Sequence, residues 1–262
     1  MSSGLGNISW RAVRVWQRNW TVYCATWLIN FLAPILEPLL FLLAFGVGLG
    51  RLVPSVAYGG LEIPYRVFIM PGILAVSVMN YAFFETTYAS FVRIYFQKTY
   101  DAILATPLLL EDVLAGEILW GATKSVLATA IMMVVVSCFG LLVYPAALWL
   151  IPAALLGGLA FASLGMIFTG LVGSIDQFNL PIFLLVTPMY LFGGVFFPLE
   201  SLPDWAVNLA KLLPLTHLVI VMRQLALGRV DASLAGSLAA LLVFGAACFV
   251  LALYLLRRRL IK

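Results

Sequence analysis

A chain of 262 residues has room for one or two globular domains, but 64% of it is hydrophobic and only 10% is charged, where a soluble domain carries roughly a quarter. Water is thereby excluded as its main solvent, and the apolar runs leave no stretch polar enough for a separate soluble unit. The net charge of +4 gathers near the two ends, at Arg11, Arg14 and Arg18 and at Arg257, Arg258, Arg259 and Lys262, a pattern that suits anionic lipid and not a nucleic-acid patch.

The first thirty residues hold three arginines and four tryptophans in place of the apolar h-region and cleavage site of a secretory leader. Over residues 8–23 the three arginines fall within about 60° of one another at 100° per residue, while Val13, Trp16, Trp20 and Tyr23 gather opposite them. This predicts an interfacial helix, its aromatic face at the acyl boundary and its arginines toward phosphate and cytoplasm. A basic leader that only sets topology is the alternative. Segments with the roughly 20 apolar residues that a hydrocarbon core demands follow near 28–49, 67–92, 118–143, 146–173, 178–198 and 233–256. Between the last two, Asp204, Lys211, Pro214, His217 and Arg223 interrupt residues 205–227, which read as two short helices dipping into the outer leaflet and leaving on the same side. Charged, irregular backbone at that depth survives only against protein or in a wet cavity.

The expected fold class is all-α: a single polytopic domain over 1–262 with six transmembrane helices, an N-terminal interfacial helix over 8–23, a loop at 94–116 and an outer re-entrant segment at 201–227. With the N-terminus inside, nine Lys and Arg residues fall on the cytoplasmic side and five (Arg51, Arg66, Lys211, Arg223, Arg229) outside. That imbalance predicts both termini in the cytoplasm and an even number of spans.

Ionisable groups inside spans are costly enough to be functional candidates, and Glu37, Glu85 and Lys124 qualify. Glu85 and Lys124 each lie six or seven residues from the cytoplasmic end of their spans, roughly 10 Å deep at 1.5 Å per residue, so they are expected to pair. The pair is either a switchable latch between the second and third spans or a static brace. Glu37, between Pro34 and Pro38, lacks a basic partner at its depth; it is either neutral and hydrogen-bonded to a group such as Asn80, or it faces a polar cavity. His217 reads as a satisfied interface residue.

The loop at 94–116 reads as helix, break, helix. Thr106-Pro107 is expected to cap and open the second piece, with Glu111 and Asp112 in its first turn. The first piece, 97–105, carries Gln97, Lys98, Tyr100, Asp101, Ile103 and Leu104 as a short exposed helix, fit either to dock a cytoplasmic partner or to lie on the bilayer.

One histidine excludes a multi-His metal site, and no Ser-His-Asp set assembles. Gln97 and Thr123 stand where a phosphate-cradling loop requires glycine before Lys98-Thr99 and Lys124-Ser125. Cys24, Cys138 and Cys248 are scattered apolar filler. Neither catalytic residues, a metal nor a bound cofactor is expected on this chain.

The runs LFGGVFFPLESLPDW from Leu191 and LLPLTHLVIVMRQLALG from Leu212 resemble the membrane subunits of type-2 ABC exporters. FETTYASFVR from Phe84, DAILATPLLLEDVLAGE from Asp101, LAFASLGM from Leu159 and LLRRRLIK from Leu255 are similar to the NodJ-type permeases of lipo-oligosaccharide exporters. The resemblance covers almost the whole chain. It implies a homodimer in a bacterial inner membrane with two cytoplasmic ATPase subunits, which bind the ATP and magnesium. It also implies a coupling helix at 97–105 and an exit shaped by the re-entrant segment with Glu200, Trp205, His217 and Arg223. Glu37, Phe41, Asn80, Phe84 and Tyr88 are path candidates. A drug or antibiotic exporter fits the same motifs. A proton-coupled secondary transporter using Glu37 or Glu85 and a membrane-embedded enzyme are the readings from other classes.

Overall fold

The computed structural model of the protein describes residues 8–260, so Lys262 lies outside the described residues. Helix α1 (Ala12–Ala25) runs into α2 (Trp27–Phe41) through a break at Thr26. Helix α2 continues as a π-helical turn (Leu42–Gly48) and a short 3-10 turn (Leu49–Arg51). Pro34 and Pro38 sit inside α2, tolerated there because a membrane helix is braced by its neighbours.

The chain then forms something the all-α expectation did not contain, an antiparallel hairpin of β1 (Ser55–Tyr58) and β2 (Leu61–Pro64), registered from Tyr58 opposite Leu61 to Ser55 opposite Pro64. Its turn is Gly59-Gly60, at φ +58° and +76°, the positive angles that a two-residue hairpin turn requires and that glycine adopts without steric cost.

Helix α3 (Tyr65–Phe84) leads into π-helical turns at Glu85–Ala89 and Val92–Phe96, and the short α4 (Thr99–Leu104) follows. Next come α5 (Leu110–Cys138), α6 (Leu150–Leu171, entered by a 3-10 turn at Ala146–Trp149), α7 (Asn179–Pro181), α8 (Thr187–Phe192), α9 (Asp204–Ala210), α10 (Pro214–Leu227) and α11 (Ser233–Leu260).

Among the described residues six helical stretches are long and apolar enough to cross a membrane: Trp27–Arg51, Tyr65–Phe96, Leu110–Cys138, Ala146–Leu171, Ile175–Phe192 and Ser233–Leu260. The protein is a polytopic helical membrane protein. Helices α9 and α10 meet at 88°, because Pro214 cannot extend α9 and opens α10 instead. The third stretch starts eight residues before its expected boundary, since Glu111, Asp112 and Glu117 are buried with partners there. The fifth ends early at Phe192, where Gly194 takes a left-handed turn.

Helices α3, α5 and α6 pack as the central trio, with α11 against α6 and α10 against α3 and α11. Without a hydrophobic drive between helices in lipid, close approach of small residues carries much of this packing. A Cβ on Gly158 of α6 would lie 2.3 Å from Ser125 Oγ of α5, so that contact needs the bare backbone. Helix α2 and the Phe183–Leu184 face are largely exposed, as surfaces against lipid or another chain must be. Two ends can be told apart: a basic end, where α4 and the C-terminus of α11 lie, and a hairpin end, where β1, β2, α9 and α10 lie.

Candidate functional site

A cavity of about 900 Å³ opens beside α1, α2, α3 and α5. Its lining includes the aromatic residues Tyr23, Phe84, Tyr88 and Trp120 and the charged residues Arg18, Glu37, Glu85, Arg93 and Lys124. Tyr23 meets Trp120 edge-on at 5.5 Å, and Tyr88 lies 5.0 Å from Phe178. Such a mixture of apolar area and a few convergent charges is what small-molecule sites share.

Glu85, Arg93 and Lys124 of that lining belong to one connected knot. Lys124 Nζ donates to Glu85 Oε2 at 2.8 Å and the Trp120 indole N–H to Glu85 Oε1 at 3.0 Å. Arg93 forks between Glu85 and Glu117, one nitrogen to each carboxylate. Glu117 is 0% exposed and also accepts from Ser90 Oγ at 3.0 Å and Asn19 Nδ2 at 3.1 Å. Buried charges persist only when paired and hydrogen-bonded, and here both carboxylates have several donors. The structure therefore brings Glu85 and Lys124 together, but as part of a four-charge cluster whose other members, Arg93 and Glu117, the sequence reading passed over. Their only signal is that both are ionisable residues beside the ends of the apolar runs that hold Glu85 and Lys124, which does not say that they turn inward. Glu85 opens a π-helical turn, a distortion frequent at functional sites.

Glu37 takes its hydrogen bond from the Ser77 hydroxyl, not from Asn80. Ser77 is one turn nearer the hairpin end of α3, at the depth where the two prolines set Glu37. Both Glu37 and Asn80 line the cavity, so Glu37 is hydrogen-bonded through Ser77 and faces the cavity as well. Phe41 does not line it; a turn beyond Glu37, it stacks on Phe45 at 5.8 Å, which in turn meets Phe196.

Helix α1 departs from the expected orientation. Its buried face is Ala12, Val15, Asn19 and Tyr23, laid against α5, while Val13 and Trp20 are exposed. Arg18 turns into the cavity, where burial holds its guanidinium below its ordinary pKa and its Nη1 is buried without a hydrogen-bond partner. Polar bonds explain the rotation: Trp16 Nε1 donates to Thr123 Oγ1 at 2.9 Å and Asn19 to Glu117. A Cβ on Gly116 would come within 2.6 Å of Ala12 O and Val15 Cβ, so α5 admits α1 this closely only at a glycine. Arg11 donates to Pro107 O at 2.7 Å, Ser9 N to Asp112 Oδ1 at 2.7 Å, and Arg257 pairs with Glu111. The start of α5 is thus a junction for α1, α4 and α11.

Gln97 and Lys98, which the 97–105 expectation placed in the helix, lie just before α4, because Lys98 takes a left-handed turn at φ +54°; both are exposed, as is Asp101 within α4, with Ile103 and Leu104 half-buried. Tyr100, expected on that exposed surface, is 1% exposed and points inward. Burial first, and the nearby Glu117 charge second, hold its phenol well above its usual pKa, so it stays neutral. Thr106 does not open the next helix; its hydroxyl donates back to Ile103 O at 2.6 Å and closes α4. Helix α5 begins at Leu110, where Asp112 Oδ2 accepts from Leu109 N at 3.3 Å.

At the hairpin end Trp205 is 67% exposed and Glu200 is exposed on a second cavity. His217 bonds Lys211 O at 2.9 Å and Ser237 Oγ at 3.4 Å, tying the corner between α9 and α10 to α11. Arg223 is buried among backbone carbonyls.

Six apolar stretches, with a cavity beside the first three that carries aromatic and charged side chains together, fit a membrane permease. A family model described as ABC-2 type transporter matches residues 12–227, and the chain belongs to that family as a membrane permease component. It is similar to Nodulation protein J of Rhizobium leguminosarum bv. trifolii, 38% identical over 257 residues covering 98% of this chain and 96% of that protein. It is similar also to Nodulation protein J of Sinorhizobium fredii (37% over 253 residues, 97% and 95%). A more distant relative is the inner membrane transport permease YadH of Escherichia coli (24% over 255 residues, 96% and 97%).

Proposed function

We propose that this chain is the membrane half of an ATP-driven exporter for an amphipathic lipid-linked or oligosaccharide-bearing molecule, working as a homodimer above two cytoplasmic ATPase subunits. In this reading the basic end faces the cytoplasm of a bacterium across its inner membrane, which puts both termini inside. ATP and magnesium belong to the partner subunits. The resemblance of its motifs to permeases of lipo-oligosaccharide exporters favours an oligosaccharide-bearing cargo over a drug.

The observation that carries the reading is the continuity from α4 to the cavity. Tyr100 of α4 packs inward beside Arg93 and Glu117, and Arg93 bonds Glu85 on the cavity wall. In this reading a push on α4 reaches the cavity lining through these ionic contacts. The cavity's mixed aromatic and charged lining suits a cargo with an apolar and a polar part. Glu85, held by Lys124, Arg93 and Trp120, is too fully bonded for the proton carrier of a secondary transporter.

The test is transport into inverted vesicles holding the chain and a P-loop ATPase. Export of a fluorescent lipo-oligosaccharide should require ATP and be lost when residues 97–105 are replaced by a glycine-serine linker. Transport that survives the replacement, or that runs on a proton gradient without ATP, would overturn the reading.

A further inference from the structure

The cavity at the hairpin end holds a charge that the coupling scheme does not use. Its volume is about 520 Å³, and Tyr58 from the hairpin, Glu200, Arg223 from α10 and Arg229 line it. Arg223 is 2% exposed. Its Nε donates to Phe68 O at 3.3 Å and its Nη2 to Gly194 O at 2.8 Å and Val195 O at 3.5 Å, and the Tyr58 hydroxyl lies beside it; none of the carbonyl bonds uses Nη1. The guanidinium carbon lies 3.8 Å from the Phe68 ring centroid and 5.3 Å from that of Tyr58.

Among the described residues the ion pairs involve Arg93, Lys124 and Arg257, and no carboxylate lies within pairing distance of Arg223. The two acids on the cavity wall are otherwise placed. Glu200 is exposed at the mouth. Asp231 is committed to Gln224 Nε2 at 2.8 Å and to Ser233 N at 2.7 Å. A buried cation with no counter-ion is costly, and carbonyls and aromatic faces offset only part of that cost. What remains is the Nη1 edge of the guanidinium on the wall of an open cavity, with a second, exposed arginine, Arg229, on the same lining.

We propose that this cavity binds a phosphate- or sulfate-type oxyanion, with Arg223 as its buried anchor and Arg229 as its rim cation. Planar guanidinium donors match such oxyanions with paired hydrogen bonds. The cavity falls in the range of about 300–1,000 Å³ that holds whole small molecules, so the anion enters as part of a larger head group. That group can come from a phospholipid or from an esterified cargo. The site stands on its own geometry and does not depend on what drives transport.

The experiment uses the full chain in nonionic detergent, with phosphate or sulfate replacing chloride at constant ionic strength and thermal unfolding as the readout. Either oxyanion should raise the midpoint of the wild type. Arg223→Lys, which keeps the charge but loses the planar guanidinium, should need at least tenfold more anion for the same shift. Arg229→Gln, exposed and so foldable, should need severalfold more with an unchanged midpoint in chloride. In phosphatidylcholine nanodiscs doped with phosphatidylglycerol, native mass spectrometry that finds retained phosphatidylglycerol, lost in Arg229→Gln, assigns the site to a lipid head group. Retention of neither lipid, with the phosphate response intact, assigns it to an anionic cargo. A wild type indifferent to both oxyanions, or variants that respond as the wild type does, overturns the proposal.

Discussion

Glu85→Gln removes the charge on which Lys124, Arg93 and the Trp120 indole converge, while keeping the shape and an acceptor for Trp120. Breaking a buried ion pair costs about 3–5 kcal/mol; Arg93 keeps Glu117, so the lower end of that range applies. At about 2–4 °C per kcal/mol for a chain of this size, the unfolding midpoint should fall by about 6–12 °C. Lys124→Met should cost less, about 1 kcal/mol, because the lysine side chain is 26% exposed on the cavity and its charge is screened there. The informative variant is the double reversal, Glu85→Lys with Lys124→Glu. An isolated pair would recover most of its stability on reversal. In this cluster the reversal sets an ammonium against the Arg93 guanidinium and leaves the Trp120 N–H without its acceptor. The double variant should therefore stay at least as destabilised as Glu85→Gln. Differential scanning fluorimetry of the purified chain measures all four proteins, and a double reversal within about 2 °C of the wild type, less than 1 kcal/mol on the same scale, would refute the cluster.

Gly116→Ala should pry α1 from α5, because its Cβ would sit 2.6 Å from Ala12 O; the overpacking costs about 1–3 kcal/mol, and a faster proteolytic cut within α1 would report it. Tyr100→Phe should leave the midpoint unchanged or raised, since the buried Oη has no hydrogen-bond partner among the described residues. Tyr100→Ala should instead lower it by the about 3–5 kcal/mol of a deleted buried ring, and the pair of midpoints separates packing from polarity. Asp231→Ala should cost about 1 kcal/mol by freeing Ser233 N–H at the start of α11. The bonds from Ser233 hold the Asp231 carboxyl below its ordinary value. Its contribution is therefore complete above about pH 4 and fades as the pH falls through the lowered value. The gap between wild type and variant should close in acid and stay constant from pH 5 to 8.

The long apolar runs were legible because hydrocarbon demands them, and the bend at Pro214 was legible because proline and charge interrupt a run. The boundaries of α5 were not, because hydropathy counts Glu111, Asp112 and Glu117 as exits from the membrane, whereas each is buried with a partner. The hairpin carried a readable Gly59-Gly60 signal between short alternating runs, easily hidden in a loop of an otherwise helical chain. Glu85 and Lys124 could be matched by depth alone, since each is a lone charge inside a span. Arg93 and Glu117 could not, because a charge near a span end has a ready topological explanation and only packing shows that it turns inward. The rotation of α1 escaped for a related reason: Asn19 and Trp16 face protein donors and acceptors on α5, and a moment computed on α1 alone knows nothing of them.

The central claim, that an ATPase drives this permease through α4, is tested most directly at the exposed start of that helix. Lys98→Glu combined with Asp101→Arg alters two exposed side chains and should leave the unfolding midpoint within about 2 °C, as surface substitutions do. In proteoliposomes with a P-loop ATPase, the account predicts that ATP-dependent, protonophore-resistant transport falls at least tenfold in this variant, together with binding of the ATPase. Transport at wild-type rate by the variant, or transport by the wild type that a protonophore abolishes while ATP is present, would contradict it.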